Sequence, residues 1–385
     1  MDIKEYIIRL RRELHQYPEI GFDLPKTLAI VKRELEAMGI PYTEEYGRSS
    51  LVATLNADCK GKTLGMRADM DALPIKEETG LPFSSLNEGR MHACGHDCHT
   101  AMLLGTARML KEKENELPCR IKLIFQAAEE YAPGGAKLMC EDGVMDDIDC
   151  IIGCHVSAGL DVGKISFNYG KMYAQSHGFW LTVKGKSCHV CAPHQGIDAI
   201  AMATRIYTDI QIMRAREIEP RTPCIIGIGE IHGGKANNVV CDRVTMHGTI
   251  RTVDEGLDEY IYNRIEQIAK AVTEQRGGGF ELETTKLYPL LTNDRACAER
   301  LYAVAKEIIG EDRIYDAKQY TMGAEDFAFY RQYKPGVFFN LGVGRDDDPP
   351  APSHNCRFTV DEEGLIYGPR IFVAYAMSFK SDMNL

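Results

Sequence analysis

Apolar residues recur at helical spacing from the start of the chain. Ile7, Leu10 and Leu14 mark one amphipathic helix, and Leu28, Val31, Leu35 and Met38 mark a second after the turn between Pro18 and Pro25. Short apolar runs of β type follow at 51–55, 63–68, 121–127 and 150–154, with helical stretches at 100–114 and 135–141 between them. Strands alternating with helices predict an α/β layer on a mostly parallel sheet. The texture changes near residue 176. Strand 178–183, helix 196–214, strands 223–228 and 243–251, helix 255–274 and strand 280–288 spell βαββαβ, the order of a ferredoxin-like antiparallel sheet with two helices on one face. Segments of the first kind resume after Thr292, with 337–341 and 364–376 closing the layer. The expected organisation is a discontinuous α/β domain at 1–175 and 290–385, interrupted by an inserted domain at 176–289.

Composition narrows the classes. With 385 residues, 44% hydrophobic and 26% charged, the chain has ordinary globular texture and enough length for two domains. A net charge of -11 without a Lys/Arg cluster argues against nucleic acid as a partner. No apolar run approaches the ~20 residues of a spanning helix, so no membrane is expected. The start is charged from Asp2 and lacks an apolar leader, which predicts a cytoplasmic protein. In that compartment thirteen cysteines read as reduced thiols, buried or metal-bound. The triplet Gly277-Gly278-Gly279 is a loop in the insert, and no phosphate-cradling glycine motif occurs.

Residues 91–100 read MHACGHDCHT. Cys94 and His96 are ligand types suited to Zn, Mn, Ni or Co, and their alternating spacing lets a loop turn both onto one ion. Asp69-Met70-Asp71 ends a β-type run at the carboxyl edge of the sheet, where Asp71 either serves a ligand site or caps a turn. Glu129-Glu130 follows the run 121–127. Neighbours in extended chain point opposite ways, so one carboxylate can hold a metal while the other faces substrate as a base; two solvated loop acids are the plain alternative. His155, ending the run 150–154, and His354, in a late loop, are further ligand candidates, although a single His is more often a satisfied polar group. Taken together, five ligand-type groups and a spare carboxylate at strand ends of one layer are what two metals with an open position require.

The ordered motifs carry a resemblance. Arg11-Arg12-Glu13-Leu14-His15 with Pro18-Glu19 begins it; MRADMDALP at 66–74, MHACGHDCHT, FQAAEE at 125–130, PGGA at 133–136, GCHV at 153–156, Lys186-Ser187-Cys188-His189 with Pro193-His194, GGKANNVV at 233–240, GTIRT at 248–252 and GAEDF at 323–327 continue it. The chain resembles the dinuclear metallo-amidohydrolases that include hippurate hydrolase, the plant indole-acetyl-amino-acid hydrolases, aminoacylase-like deacetylases and, more distantly, carboxypeptidase G. The resemblance implies a catalytic α/β/α domain with a ferredoxin-like lid and dimerisation domain, and two divalent metal ions. It implies Cys94 bridging both ions, His96 and His155 on one, Glu130 and His354 on the other, Glu129 as base and proton shuttle, and Asp71 behind the ligands. On the insert it implies His189 as an oxyanion donor reaching across a homodimer or larger oligomer, with Asn238 and Arg251 gripping a substrate carboxylate. The expected substrate is a small N-acyl or N-aminoacyl amino acid. A dipeptidase or carboxypeptidase on the same site is the nearest alternative, and a noncatalytic metal- or thiol-binding protein a remoter one. Cys98, Cys154, Cys188, Cys191 and Cys241 depart from the family pattern. His99, His177, His194, His232 and His247 are expected to be structural or to stand behind the ligands, and Trp180 to pack in the core.

Overall fold

The structure, a computed structural model, describes residues 1–316, 320–344 and 351–380. It divides into two compact units: Met1–Met172 with Leu291–Tyr320 and Glu325–Leu385, and Tyr173–Leu290 with Thr321–Ala324. The short second piece of the smaller unit is not visible in the apolar pattern. It is tied there by backbone bonds, since Ala174 N–H donates to Thr321 and Gly323 carbonyls at 3.0 and 2.9 Å.

Eight strands of the larger unit form one sheet, in the order Tyr42–Thr43, Leu51–Leu55, Arg120–Gln126, Thr63–Asp69, Cys150–Asp161, Gly336–Gly344, Ile165–Phe167, Ile314–Asp316. The middle four, from Arg120–Gln126 to Gly336–Gly344, run parallel. Thr63–Asp69 is buried along its whole length, as a central strand covered on both faces must be. The helices Ile3–Gln16 and Tyr367–Ser378 pack on His96–Lys111, and Gly135–Glu141 packs on Ala328–Tyr333. Parallel strands deliver their carboxyl ends to one edge, so Asp69 and Gln126 are register partners there.

Two element boundaries differ from the sequence expectation, and both matter for the site. The third helix starts at His96, not at residue 100, so His96 to His99 form its first turn. The polar run reads as loop, yet these side chains are buried and the helix is apolar beyond them. The strand beginning at Cys150 continues to Asp161, which puts His155 inside a strand and not at its end. Pairing with Gly336–Gly344 carries it on, with His155 opposite Asn340.

In the smaller unit Gln175–Lys184, Ala199–Arg216, Cys224–Gly233, Arg243–Thr252, Leu257–Glu274 and Gly279–Tyr288 follow the expected βαββαβ order. Its strands lie first beside fourth and third beside second, all antiparallel, as in ferredoxin-like folds. Phe179, Leu181, Val244, Met246 and Ile250 pack against Ile206, Ile210, Ile261 and Ile265 in one core. Each such side chain contributes roughly 1.5–3 kcal/mol when fully buried. Trp180 alternates with Phe179 and Leu181 and therefore takes the opposite face, contrary to the expectation that it packs in the core. It is 42% exposed and stacks on His247 with ring centroids 4.3 Å apart. No helix among the described residues is long and apolar enough to cross a membrane.

Candidate metal centre

Cys94 enters the helix His96–Lys111 through Gly95, whose φ is 85° and whose Cβ, if present, would lie 2.4 Å from Val156 Cγ2. Glycine meets both demands. Ala128 at φ 55° and His354 at φ 67° are left-handed without being glycine, at a cost of roughly 1–2 kcal/mol each. Both adjoin the same cluster of ligand-type groups. Ala128 turns the chain out of Arg120–Gln126 and directly into Glu129-Glu130. Asp71 then fixes that pair through the main chain, its two oxygens accepting the N–H of Glu129 at 2.9 Å and of Glu130 at 3.2 Å.

Five triads of converging donor atoms occur among the described residues, and two of them share a thiol. Those of Cys94, His96 and His155 lie within 4.8 Å of one another, and so do those of Cys94, Glu130 and His354. Cys94 belongs to both. Its Sγ is 3.3 Å from His155 Nε2, while His354 Nε2 is 2.9 Å from a Glu130 oxygen. His155 Nδ1 donates to the Val156 carbonyl at 2.6 Å, which turns Nε2 toward the thiol. Both ring nitrogens of His96 are buried without a hydrogen-bond partner, although Nδ1 lies 3.4 Å from an Asp71 oxygen. Buried imidazole nitrogens left this way are costly unless another group completes them. Thiol, imidazole and carboxylate donors with one atom shared therefore fit a pair of borderline divalent cations.

Electrostatics point the same way. Burial pushes the Cys94 thiol up, but the charge and hydrogen bond of His155, with His354 and His96 close by, outweigh it and bring the thiol down to about 6. Burial pulls His155 down and the Cys94 thiolate raises it, to about 9. Hydrogen bonds to Cys94 and Glu130 raise His354 to about 10. The thiolate thus gathers positive charge around itself, the property a cation would use.

Below these groups lie residues to which sequence reading assigned no role. Arg67 is fully buried on Thr63–Asp69, and its guanidinium meets Asp69 at 2.8 Å, Asp326 at 2.7 Å, Glu325 at 3.1 Å and the Gln126 side-chain oxygen at 2.8 Å. Asp69 in turn pairs with His99, whose Nε2 accepts the Val156 N–H at 2.9 Å. Removing one partner of such a buried ionic group costs about 3–5 kcal/mol, because charge is left uncompensated. A charged pair two residues apart within an apolar run was the available signal. Glu129 faces this acidic floor: its carboxylate, Glu325 and Asp326 have oxygens within 4.8 Å of one another, and Asp326 N–H donates to it at 3.4 Å. Burial, then the carboxylates of Glu325, Glu130 and Asp326, hold the Glu129 carboxyl well above the usual range.

His189, Asn238 and Arg251 belong to the smaller unit. Val190 N–H donates to the Asn238 carbonyl at 3.0 Å, so His189 and Asn238 sit on two segments laced together. His189 Nδ1 accepts the Cys191 N–H at 3.1 Å. That bond selects the tautomer with the proton on Nε2. Arg251 stands opposite Ser176 on the sheet face away from the helices, half-buried and with no ion pair among the described residues.

Residues 65–378 match the model of peptidase family M20/M25/M40. The N-acetyl-L-cysteine deacetylase of Bacillus subtilis is 36% identical over 368 residues, covering 94% of this chain and 86% of that one. The IAA-amino acid hydrolase ILR1-like 4 of Arabidopsis thaliana is 34% identical, covering 100% and 88%. The crystal structure of a dinuclear metal-binding M20 peptidase of Bacillus subtilis superposes with a TM-score of 0.84 at 30% identity, covering 98% of each chain. A match of this extent, in sequence and in fold, over a cluster of two donor triads sharing one thiol establishes that the chain belongs to peptidase family M20/M25/M40.

Proposed function

We propose that this hydrolase cleaves the amide bond of small N-acyl amino acids, releasing a free amino acid and a carboxylic acid. The observation that carries the reading is the different surroundings of Glu129 and Glu130, whose carboxylates also converge with His96. Both hang on Asp71, yet Glu130 joins the Cys94 and His354 donors while Glu129 also faces the acidic floor. A binding site for metal alone has no use for a second carboxylate of raised proton affinity beside it. Cys94, His96, His155, Glu130 and His354 would hold two divalent ions of the Zn, Mn, Ni or Co type, which supply Lewis acidity and lower the pKa of water when bound.

The protein's own groups then divide the work. A Glu129 carboxylate oxygen accepts the proton of the attacking water and returns it to the leaving amine nitrogen. His189 presents Nε2–H to the developing oxyanion. Arg251 and Asn238 take the free carboxylate of the substrate. The relatives named for acyl amino acids support this substrate class. A partly buried guanidinium without a carboxylate partner is suited to such an anion, because burial already lowers its proton affinity and a bound carboxylate would compensate the charge.

The metal-loaded protein should turn over acetyl- and benzoyl-amino acids faster than dipeptides, with a preference for the free acid over its carboxamide. Arg251→Ala should lower kcat/KM for the acid by about tenfold to a hundredfold, the worth of a charged hydrogen bond, and erase that preference. A preference that survives in the variant would remove Arg251 from the substrate site. We also propose that His189 serves the partner's metals in a homodimer. Mixed dimers of Glu129→Gln and His189→Ala chains should then regain up to a quarter or so of wild-type turnover from two inactive parents, since one site in a mixed dimer keeps both groups. Exchange of subunits without recovery would place His189 in its own chain's site.

A further inference from the structure

Cys188-His189-Val190-Cys191 is a C-x-x-C motif, and nothing in the hydrolysis above uses its thiols. It lies in a loop whose base is closed by paired backbone bonds of 2.8 Å between Lys186 and Ile197. Within it the chain turns back on itself, Ala192 N–H donating to the His189 carbonyl at 2.9 Å. The Cys188 thiol follows that turn and donates to the Ala192 carbonyl at 3.4 Å, which sets it against the peptide unit that joins Ala192 to Pro193, one residue beyond Cys191. Room for this sulfur depends on Gly196, where a Cβ would come within 2.6 Å of Sγ.

Accessibility separates Cys191 from the other cysteines. Thirteen thiols are free, and all are described; Cys191 is the exposed one, Cys59, Cys188 and Cys356 are partly exposed, and the rest are buried. A soluble oxidant therefore meets Cys191 first, with Cys188 three residues away across a tight turn. Metal binding is a poorer use of the motif, because among the described residues no triad of converging donor atoms includes either thiol.

We propose that Cys188 and Cys191 form a reversible thiol–disulfide site that low-molecular-weight disulfides oxidise, and that its closure disables His189. The Cys191 thiolate attacks one sulfur of the disulfide RSSR, the S–S bond breaks, and RS⁻ leaves and takes up a proton. The Cys188 thiolate then attacks the Cys191 sulfur of the mixed disulfide and expels the second RS⁻. In sum, the protein loses two hydrogens and RSSR becomes two RSH. The consequence for His189 rests on the role assigned to it above. The Cys191 N–H is the donor that holds His189 Nδ1, and Val190 and Cys188 carry the backbone bonds to Asn238 and Val240. Drawing the two sulfurs together closes a ring around His189 and moves the donor that sets its tautomer.

The test uses the full-length, metal-loaded protein with glutathione disulfide as oxidant. Cleavage after Lys186 and Arg205 yields one tryptic peptide, 187–205, holding both cysteines and no other. After acid quench and alkylation, this peptide from wild type should be two hydrogens lighter and unalkylated. Cys188→Ser should stop at a glutathione adduct on Cys191. Turnover should fall roughly tenfold or more, short of the ~10²–10³ lost with an oxyanion donor, and dithiothreitol should restore it. Cys191→Ser should keep its turnover under the same oxidant. A peptide that remains fully alkylated overturns the redox site. Closure without loss of turnover, or equal loss in Cys191→Ser, overturns the link to His189. The peptide mass needs no substrate, so a reduced protein inactive on acyl amino acids would count against the proposed function and leave the redox result readable.

Discussion

Glu129→Gln should lower kcat by about two to four orders of magnitude, the usual worth of a positioned base, while metal content stays at the wild-type level. Glutamine keeps the volume and an acceptor for the Asp326 N–H, and the Asp71 bond to the residue is made by the main chain. What it cannot do is take a proton. The substitution also removes one carboxyl from a group in which Glu129 faces Glu325, Glu130 and Asp326. The thermal midpoint should therefore hold or rise, which distinguishes lost chemistry from lost structure. Steady-state kinetics beside elemental analysis decide the matter. Turnover near wild type, or loss of metal in step with activity, would move the base function away from Glu129.

Cys94→Ala should abolish activity by a different route. The thiol is the one donor common to both triads, so its removal weakens two sites at once, whereas His354→Ala strips a donor from one. Dialysed Cys94→Ala protein should retain well under one ion per chain and His354→Ala about one, against two for wild type, as expected when ligands are shared or exclusive. Treating wild type with a chelator should reproduce the Cys94→Ala loss, and added metal should reverse the former only. Full metal content in Cys94→Ala would show that the thiolate is not a ligand.

Much of the fold was legible in apolar periodicity. The alternation of strand and helix gave the parallel layer, and βαββαβ order gave the insert, because both are patterns of burial on one or two faces. Boundaries were misread where burial and polarity part company. His96 and His99 are buried polar residues on a helical turn, and a scale of hydrophobicity assigns such residues to loop. Trp180 erred the other way, an apolar ring on the open face of its sheet. For the candidate site, the ligand types announced themselves by chemistry and, except for His155 within its strand, by position after strands or in loops. Arg67, Glu325 and Asp326 did not, because their meaning lies in a pairing across 259 positions of chain that no local window contains.

That long pairing has a consequence for the order in which the molecule is made. Cys94, His96, Glu130 and His155 all emerge from the ribosome before the insert begins. At that stage Arg67 has Asp69 but neither Glu325 nor Asp326, and Cys150–Asp161 lacks its neighbour Gly336–Gly344. Four candidate ligands are thus synthesised early, before residues 325–344, which pair with Arg67 and with Cys150–Asp161, have arrived. Contacts of such sequence separation are slow to close and leave the nascent sheet with an unpaired edge. The insert, with its own core, can fold while this waits. Assembly of the candidate centre therefore follows synthesis of the insert, and a chain cut short after the insert would present scattered thiol and imidazole groups without a centre to hold them.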